Sequence, residues 1–426
     1  MKASSLSLTA ELALAQRLVL TRAEGLHVWD RGGNCYLDAT SGAFCVQLGY
    51  TRPDIVQAMA EAAAHLPHAR PSQFDSEEGE AYRQELLEAV GPPYDRVYLT
   101  SSGSEAVEVA LKIAHRYQRA MGRTEPGPVR HLSGHFHGVT LGALGVTGFR
   151  ARRAPFEDLV VGAGGGRDSA ATHTGPATAM ILETIPAVGI GAPVPPPGYL
   201  ASVRARCDEA GALWIADEVL TGFGRVGALF AWQRLSARRA PDGSAPDCDT
   251  KPDVIVFGKG AGAGFAPVAG VLVADRVSLA LDADGFTHFQ TYGGNPIASA
   301  VGRRVLEAMA EGKIYARVRD AEVDVERALR SLLDLPSVSD VRGIGYLWGI
   351  ELAEDRESGR TFPRELHVAE RVADDCRERG VLVHAGSGCA DGERGDFILI
   401  APPLITGKGA FETIAEAIGE AISTIV

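Results

Sequence analysis

The chain has 426 residues and a formal net charge of −12, from 42 Lys plus Arg against 54 Asp plus Glu, which disfavours nucleic acid or an anionic membrane as a partner because either requires a basic face. Apolar residues make up 46% and charged residues 23%, an ordinary globular balance that excludes disorder across the whole chain, and at about 150 residues per domain the length suggests two or three domains. Glycine is in excess at 50 residues without a Gly-X-Y period, and only six basic residues are lysines: Lys2, Lys112, Lys251, Lys259, Lys313 and Lys408.

Near the N-terminus, the apolar stretch 12–20 is broken by Gln16 and Arg17 and is followed by no small-residue cleavage pattern, so it does not read as a signal peptide. No run approaches the roughly 18 apolar residues that span a bilayer. Short β-branched runs at 96–100, 129–132, 177–182, 213–216, 254–257 and 270–274 alternate with helical patterns, the arrangement of a largely parallel α/β sheet. Over 104–121, Val107, Ala110, Ile113, Ala114 and Tyr117 recur at three- and four-residue spacing and predict a helix. Segments 162–176 and 237–252, rich in Gly, Ser, Pro and Asp, are expected to be loops. Beyond about residue 305, helical patterns at 301–333, with a break near Gly312, and at 365–379 flank strands within 338–352 and 397–401. The division that follows is an N-terminal arm (1–50) joining the small domain, a large α/β domain (51–305) and a smaller α+β domain (306–426). Cys35, Cys45, Cys207, Cys248, Cys376 and Cys389 are scattered, without CxxC or paired-His spacing, which disfavours structural zinc and a disulfide framework and suits a cytoplasmic setting.

In open α/β sheets ligands bind beyond the carboxyl ends of the strands, and here those ends are chemically rich. Strand 96–100 leads to Ser101-Ser102-Gly103-Ser104-Glu105, where Ser102-x-x-Glu105 fits a capping box and the helix start offers free N–H groups to an anion. Strand 129–132 leads to Ser133-Gly134-His135-Phe136-His137-Gly138, whose two loop histidines read as solvent contacts more readily than as metal ligands. Strand 213–216 runs into Asp217-Glu218, and strand 254–257 into Gly258-Lys259-Gly260. Among the six lysines only Lys259 stands between a buried strand and glycines. An amine there has its pKa lowered by desolvation and neighbouring cations, as a Schiff-base lysine requires.

These parts serve one chemistry. Pyridoxal phosphate needs a lysine for its aldehyde, a carboxylate to keep its ring nitrogen protonated, a helix N-terminus for its phosphate and an aromatic to stack on its ring; Lys259, Asp217, residues 102–104 and Phe136 fill these needs in that order. The glycines after Lys259 lack GxGxxG spacing, Gly258-Lys259 is not followed by Ser or Thr, and there is no HExxH, so nicotinamide, P-loop and zincin readings fit worse.

Over nearly its whole length the chain resembles a class III aminotransferase, a pyridoxal-phosphate enzyme of fold type I. The matching segments are Trp29-Asp30, Tyr36-Leu37-Asp38-Ala39, Leu48-Gly49-Tyr50, Ser102-Gly103-Ser104-Glu105-Ala106, Phe136-His137-Gly138, Ile215-Ala216-Asp217-Glu218-Val219, Thr221-Gly222-Phe223-Gly224-Arg225, Phe257-Gly258-Lys259-Gly260 and Thr291-Tyr292-Gly293-Gly294-Asn295-Pro296. The resemblance implies that Lys259 carries the cofactor and moves the substrate proton, and that Asp217 pairs with the ring nitrogen. It further implies that Ser102, Gly103 and Ser104 bind phosphate, Phe136 and Val219 pack on the ring, His137 and Glu183 lie at the cofactor, and no metal is used. Thr291 would reach the phosphate of a neighbouring subunit, giving a homodimer with shared sites.

Departures bear on substrate. Members using 2-oxoglutarate usually carry arginines where this chain has Val139 and Leu399, and a glutamate where it has Val188. Loss of a bidentate arginine clamp favours pyruvate or another small oxo-acid as acceptor, with Arg225 and Arg150 as other candidates for reading a carboxylate. Phe44, Cys45, Tyr292 and Trp29 are pocket candidates. A decarboxylase or an aminomutase or racemase of the same family is the alternative, since the same lysine and aspartate serve each route.

Overall fold

The computed structural model describes residues 18–160, 175–238 and 250–426; segments 12–20, 162–176 and 237–252 fall mostly outside them. Strands β1 (Leu20–Glu24), β2 (His27–Asp30) and β3 (Cys35–Asp38) form an antiparallel meander. The apolar runs of the middle of the chain become β4 (Tyr94–Thr100), β5 (Val129–Arg130), β6 (Ala179–Glu183), β7 (Leu213–Asp217), β8 (Val254–Phe257) and β9 (Ala269–Ala274). They pair in the order β4-β9-β8-β7-β6-β5. Strands β5 to β8 run parallel, and β9 alone is antiparallel, to both β4 and β8.

The sheet is covered on both faces, and strand alternation decides which residue faces which side. In β7, Leu213 and Ile215 join Val107, Ala110 and Ile113 of the Gly103–Ala120 helix, whereas Trp214 and Ala216 join Leu182, Phe257 and Leu272 in the other cluster. Val107 and Ile113 are fully buried, at about 1.5–3 kcal/mol each, so packing of this face, more than propensity, holds the helix in place.

The C-terminal third contributes β10 (Val338–Ile344), β11 (Leu347–Leu352), β12 (Val381–Leu382), β13 (His384–Ser387) and β14 (Asp396–Ile400). The antiparallel sheet runs β10-β11-β14-β13, while β12 pairs in parallel with β3, so the N-terminal meander and a C-terminal strand share one sheet. The break expected near Gly312 separates the helices Pro296–Glu311 and Ile314–Arg330. The next long helix begins at Val368 rather than 365, because His367 adopts a left-handed backbone (φ 48°) after a 3-10 turn over Arg364–Leu366. Strand β5 is shorter than its apolar run because the chain turns at Leu132, whose carbonyl accepts the His135 N–H.

Candidate active site

The carboxyl ends of β4 to β8 meet at a cavity of about 180 Å³ lined by Gly103, Ser104, Phe136, His137, Gly138, Glu183, Val188, Asp217, Val219, Leu220 and Lys259. At the end of β4 the helix opens with Ser102 as N-cap, its Oγ accepting the Glu105 N–H at 3.3 Å. The Glu105 carboxylate returns to the Ser101 N–H (3.0 Å), one residue earlier than a standard capping box. Ser102 is therefore committed to the cap and does not line the cavity; Gly103 and Ser104 do, and they present first-turn N–H groups that no intrahelical carbonyl can satisfy.

The loop after β5 closes over this helix start. Val139 N–H donates to Ser104 Oγ (3.1 Å), and the crossing is so close at Gly138 (φ 133°) that a Cβ there would lie 2.5 Å from Ser104 Oγ. His135 and His137 do not face solvent as the sequence suggests; both are buried. His137 Nδ1–H donates to Asp217 Oδ2 at 2.7 Å, leaving its Nε2 buried and unpartnered beside the cavity. His135 Nδ1 accepts the Glu183 N–H (2.9 Å), so that nitrogen carries no proton, and burial holds the imidazole well below the usual His range. Thr147, which no motif pointed to, accepts the His137 N–H (3.1 Å) and donates to the Ala143 carbonyl.

Parity along β7 separates two adjacent carboxylates. Asp217 lines the cavity and its Oδ1 accepts the Val219 N–H (3.0 Å). Glu218 turns into the core, where it accepts from Thr184, Thr221 and the N–H groups of Ala231 and Trp232. It thus anchors the start of the Ala231–Ser236 helix, which is the structural job for a strand-end acid. On the neighbouring strand Glu183 pairs in register with Asp217. Its Oε2 accepts the Phe136 N–H at 2.8 Å, and burial, reinforced by the Asp217 charge, pushes it up to about 8.

Lys259 follows β8 with a left-handed backbone (φ 39°) and is the one Lys or Arg among the described residues of the cavity lining. Burial lowers its amine below the usual lysine range, opposed first by the Asp217 charge. Behind it, Gln47 lies against Gly260, a contact that spacing alone could not reveal. Glycine at 103 likewise lets Val219 approach, since a Cβ there would be 3.0 Å from Val219 Cγ1.

Other candidates lie elsewhere. Arg225 is fully buried, donating to the carbonyls of Tyr346 and Pro402 and to Ser41 Oγ; Arg150 is exposed and paired with Glu393. Neither lines the cavity. Of the residues that replace the expected charged ones, Val188 lines the cavity, Val139 is exposed and Leu399 is fully buried. Leu399 pairs across the sheet with His384, so the two share a face. Phe44 packs edge-on against His384 (5.4 Å between centroids), and Trp29 lies under Arg22 (3.8 Å). Cys45 is half-buried, while Tyr292 and Thr291 are exposed. Gln290, next to Thr291, donates to Glu105 (3.1 Å), and residues 288–290, 293 and 294 border a second cavity of about 410 Å³ with 69 and 71–76. Among the described residues no cluster of His, Cys, Asp and Glu is placed to hold a metal ion, and no helix is long and apolar enough to cross a membrane.

A mainly parallel sheet with a lysine, two carboxylates and a capped helix start at one end defines a class of transferase, and sequence comparison gives the family. The class III aminotransferase model matches residues 10–162 and 167–422, and the chain belongs to that family. It is 32% identical to a probable aminotransferase of Mycobacterium tuberculosis over 94% of this chain and 88% of that one. It is 34% identical to the acetylornithine aminotransferase of Xylella fastidiosa, over 86% and 85%. The thermostable (S)-enantioselective omega-transaminase of Thermomicrobium roseum superimposes with a TM-score of 0.85 at 27% identity, over 100% of this chain and 97% of that one. The enzyme is an aminotransferase, and its fold is that of the fold type I transaminases.

Proposed function

We propose that this aminotransferase uses pyridoxal 5'-phosphate, bound in the cavity between Lys259 and Asp217, to move an amino group from an amine or amino acid to a small oxo-acid of the pyruvate type. The observation that carries the reading is the convergence in one cavity of a lysine with a lowered pKa, a carboxylate, a helix start and an aromatic, each a separate need of that cofactor. Bound there, the cofactor would supply a ring that accepts electrons when a proton leaves the substrate's Cα.

The chain's own residues do the rest. Gly103 and Ser104 hold the phosphate at the positive end of a helix. Asp217, oriented by His137 and the Val219 N–H, holds the ring nitrogen, and Phe136 and Val219 flank the ring. Lys259 Nζ takes up and returns the Cα proton, a task for which burial tunes it. Val188 and Leu220 keep that wall apolar and, with no arginine among the described residues of the lining, a second carboxylate on the acceptor finds no bidentate partner there; this supports a monocarboxylic acceptor.

A homodimer with shared sites belongs to the same reading. Exposed Phe74, Phe289, Tyr292, Val139 and Leu141 are the kind of apolar surface a partner covers, and exposed Thr291 lies between Phe289 and Tyr292 in the chain, able to reach a second copy's phosphate. The division into 1–50, 51–305 and 306–426, with the arm joined to the small domain through β3 and β12, and a cytoplasmic setting, in keeping with the free cysteines at 35, 45, 207, 376 and 389, complete it. The test is reductive trapping: borohydride reduction of the protein loaded with pyridoxal phosphate, followed by peptide mapping, labels Lys259. A label on another lysine, or a protein that takes up no cofactor, sinks the proposal.

A further inference from the structure

We propose that Glu183 is a positioning residue that fixes the Phe136 wall of the cavity and does so as a neutral carboxylic acid, leaving Asp217 as the only anion at the cavity floor. The inference rests on the cofactor site described above but concerns a group that the transfer chemistry itself does not use.

The geometry is a reciprocal strap. Glu183 gives its backbone N–H to His135 Nδ1 and receives the Phe136 N–H on Oε2, at 2.9 and 2.8 Å. Two successive loop residues are thereby tied to one strand-end residue, while the next, His137, is tied to Asp217. The loop that presents Phe136 to the cavity is thus held at three consecutive positions by the ends of β6 and β7. Because the His135 carbonyl also accepts the N–H groups of Gly148 and Phe149, the loop has little freedom to re-seat if one strap is cut.

The protonation state follows from what faces Glu183. From β7 comes Asp217, in register and buried; from the loop after β5 come His135, which accepts rather than donates at Nδ1, and His137, already committed to Asp217. From the turn after β8 comes Lys259, the only Lys or Arg among the described residues that line the cavity. Among the described residues Glu183 forms no ion pair and takes no hydrogen bond from a side chain, whereas Asp217 accepts one from His137 and a further bond from the Val219 N–H. Two adjacent buried carboxylates that share one nearby cation do not both ionise near neutrality, and the proton falls to the one without a side-chain donor. The N–H groups of Phe136 and Ala187 and the Lys259 charge favour the anion, but burial and the Asp217 charge outweigh them. Raising the pH ionises Glu183 and sets two negative charges side by side beneath the cofactor.

The sign for stability is that of an acid whose folded value is raised: the contribution is complete below the ordinary carboxylate range and is lost as pH climbs to about 8. The test compares wild type with Glu183→Gln, which keeps an acceptor for Phe136 but cannot ionise, and Glu183→Ala, which lacks the acceptor. In the apoprotein, the melting temperature of wild type falls relative to Glu183→Gln as pH rises to about 8 and then stays level; parallel profiles overturn the proposal. In the loaded enzyme, the ratio of wild-type to Glu183→Gln dissociation constants for pyridoxal phosphate rises at least about tenfold between pH 7 and pH 9.5. Glu183→Ala binds at least about tenfold more weakly than wild type already at pH 7, the loss of one hydrogen bond with its partner left buried. Equal damage from Gln and Ala at pH 7 means that the charge is needed, and overturns the proposal. If Glu183→Gln does not fold, Asp217→Asn decides the same point. Removal of the neighbouring charge moves the wild-type step in melting temperature to lower pH, and an unmoved step refutes the account. Failure of the wild type to bind pyridoxal phosphate would refute the cofactor reading alone, since the apoprotein comparison reads Glu183 without it.

Discussion

Gly260→Ala tests whether the backbone next to the lysine is packed as tightly as the structure shows. The position has no left-handed backbone, so strain there is purely steric: a Cβ would lie 1.5 Å from Gln47 Oε1 and 2.1 Å from its Cδ, where non-bonded atoms prefer about 3.5 Å. The amide must move by about 2 Å, but Gln47 is fully buried and its Nε2 donates to the Gly222 carbonyl at 3.1 Å. Breaking that bond inside the protein costs about 1–3 kcal/mol, and forcing an extra methyl into a packed site another 1–3 kcal/mol or so. A total of about 2–6 kcal/mol lowers the melting temperature by about 2–7 °C in a chain of this size, and displacement of Lys259 weakens cofactor retention with it. The assay is a double-mutant cycle with Gln47→Ala, read by thermal melting and by cofactor absorbance after gel filtration. Gln47→Ala is itself destabilising, but in its background the added methyl occupies vacated space, so Gly260→Ala costs less than half of what it costs in wild type. The reasoning is refuted if Gly260→Ala melts with wild type, or if its cost is the same in both backgrounds.

Lys259→Ala abolishes the visible absorption of covalently held cofactor and lowers turnover by at least about a thousandfold; retention of either shows that another amine carries the chemistry. Val139→Arg, at an exposed site, leaves the melting temperature within about 2 °C of wild type and improves kcat/KM for a dicarboxylic acceptor by roughly tenfold or more. Leu399→Arg adds to that gain only at a cost in stability, because Leu399 is fully buried; no gain from the pair locates the acceptor's carboxylate elsewhere. Thr291→Ala weakens cofactor retention without changing the lysine, and mixing it with Lys259→Ala restores one intact site per heterodimer. Mixed protein with no activity above the parents excludes shared sites.

Much of the site was legible before any fold was known, because its chemistry sits where strands end and the chain marks strand ends clearly. The apolar runs before Ser102, Asp217 and Lys259 were found within a residue or two of β4, β7 and β8, since a strand buried on both faces has to be continuously apolar. Lys259 could be singled out because lysine is scarce in this chain. Other features were not accessible, for identifiable reasons. Asp217 and Glu218 are adjacent acids of the same type, and only the parity of β7 sends one to the cavity and the other to the Ala231–Ser236 helix. His135 and His137 look like loop residues facing water, but the close crossing at Gly138 buries them. Arg225, within a glycine-rich motif, reads from the sequence as available for a substrate carboxylate, but its guanidinium donates to the carbonyls of Tyr346 and Pro402.

The sequence by itself therefore determined the element types, their order and the chemical inventory, because these depend on local periodicity and on residue type at a strand end. The tertiary structure decided which of those groups face one another: Glu183 beside Asp217 through strand register, Gln47 behind Gly260 across more than two hundred residues of chain, and the three straps that hold the Phe136 loop. Ionisation in a buried site depends on those neighbours and on desolvation, neither of which has a signature in spacing. The proton assigned to Glu183 is accordingly a property of the fold, although the carboxyl group that holds it could be read from the chain.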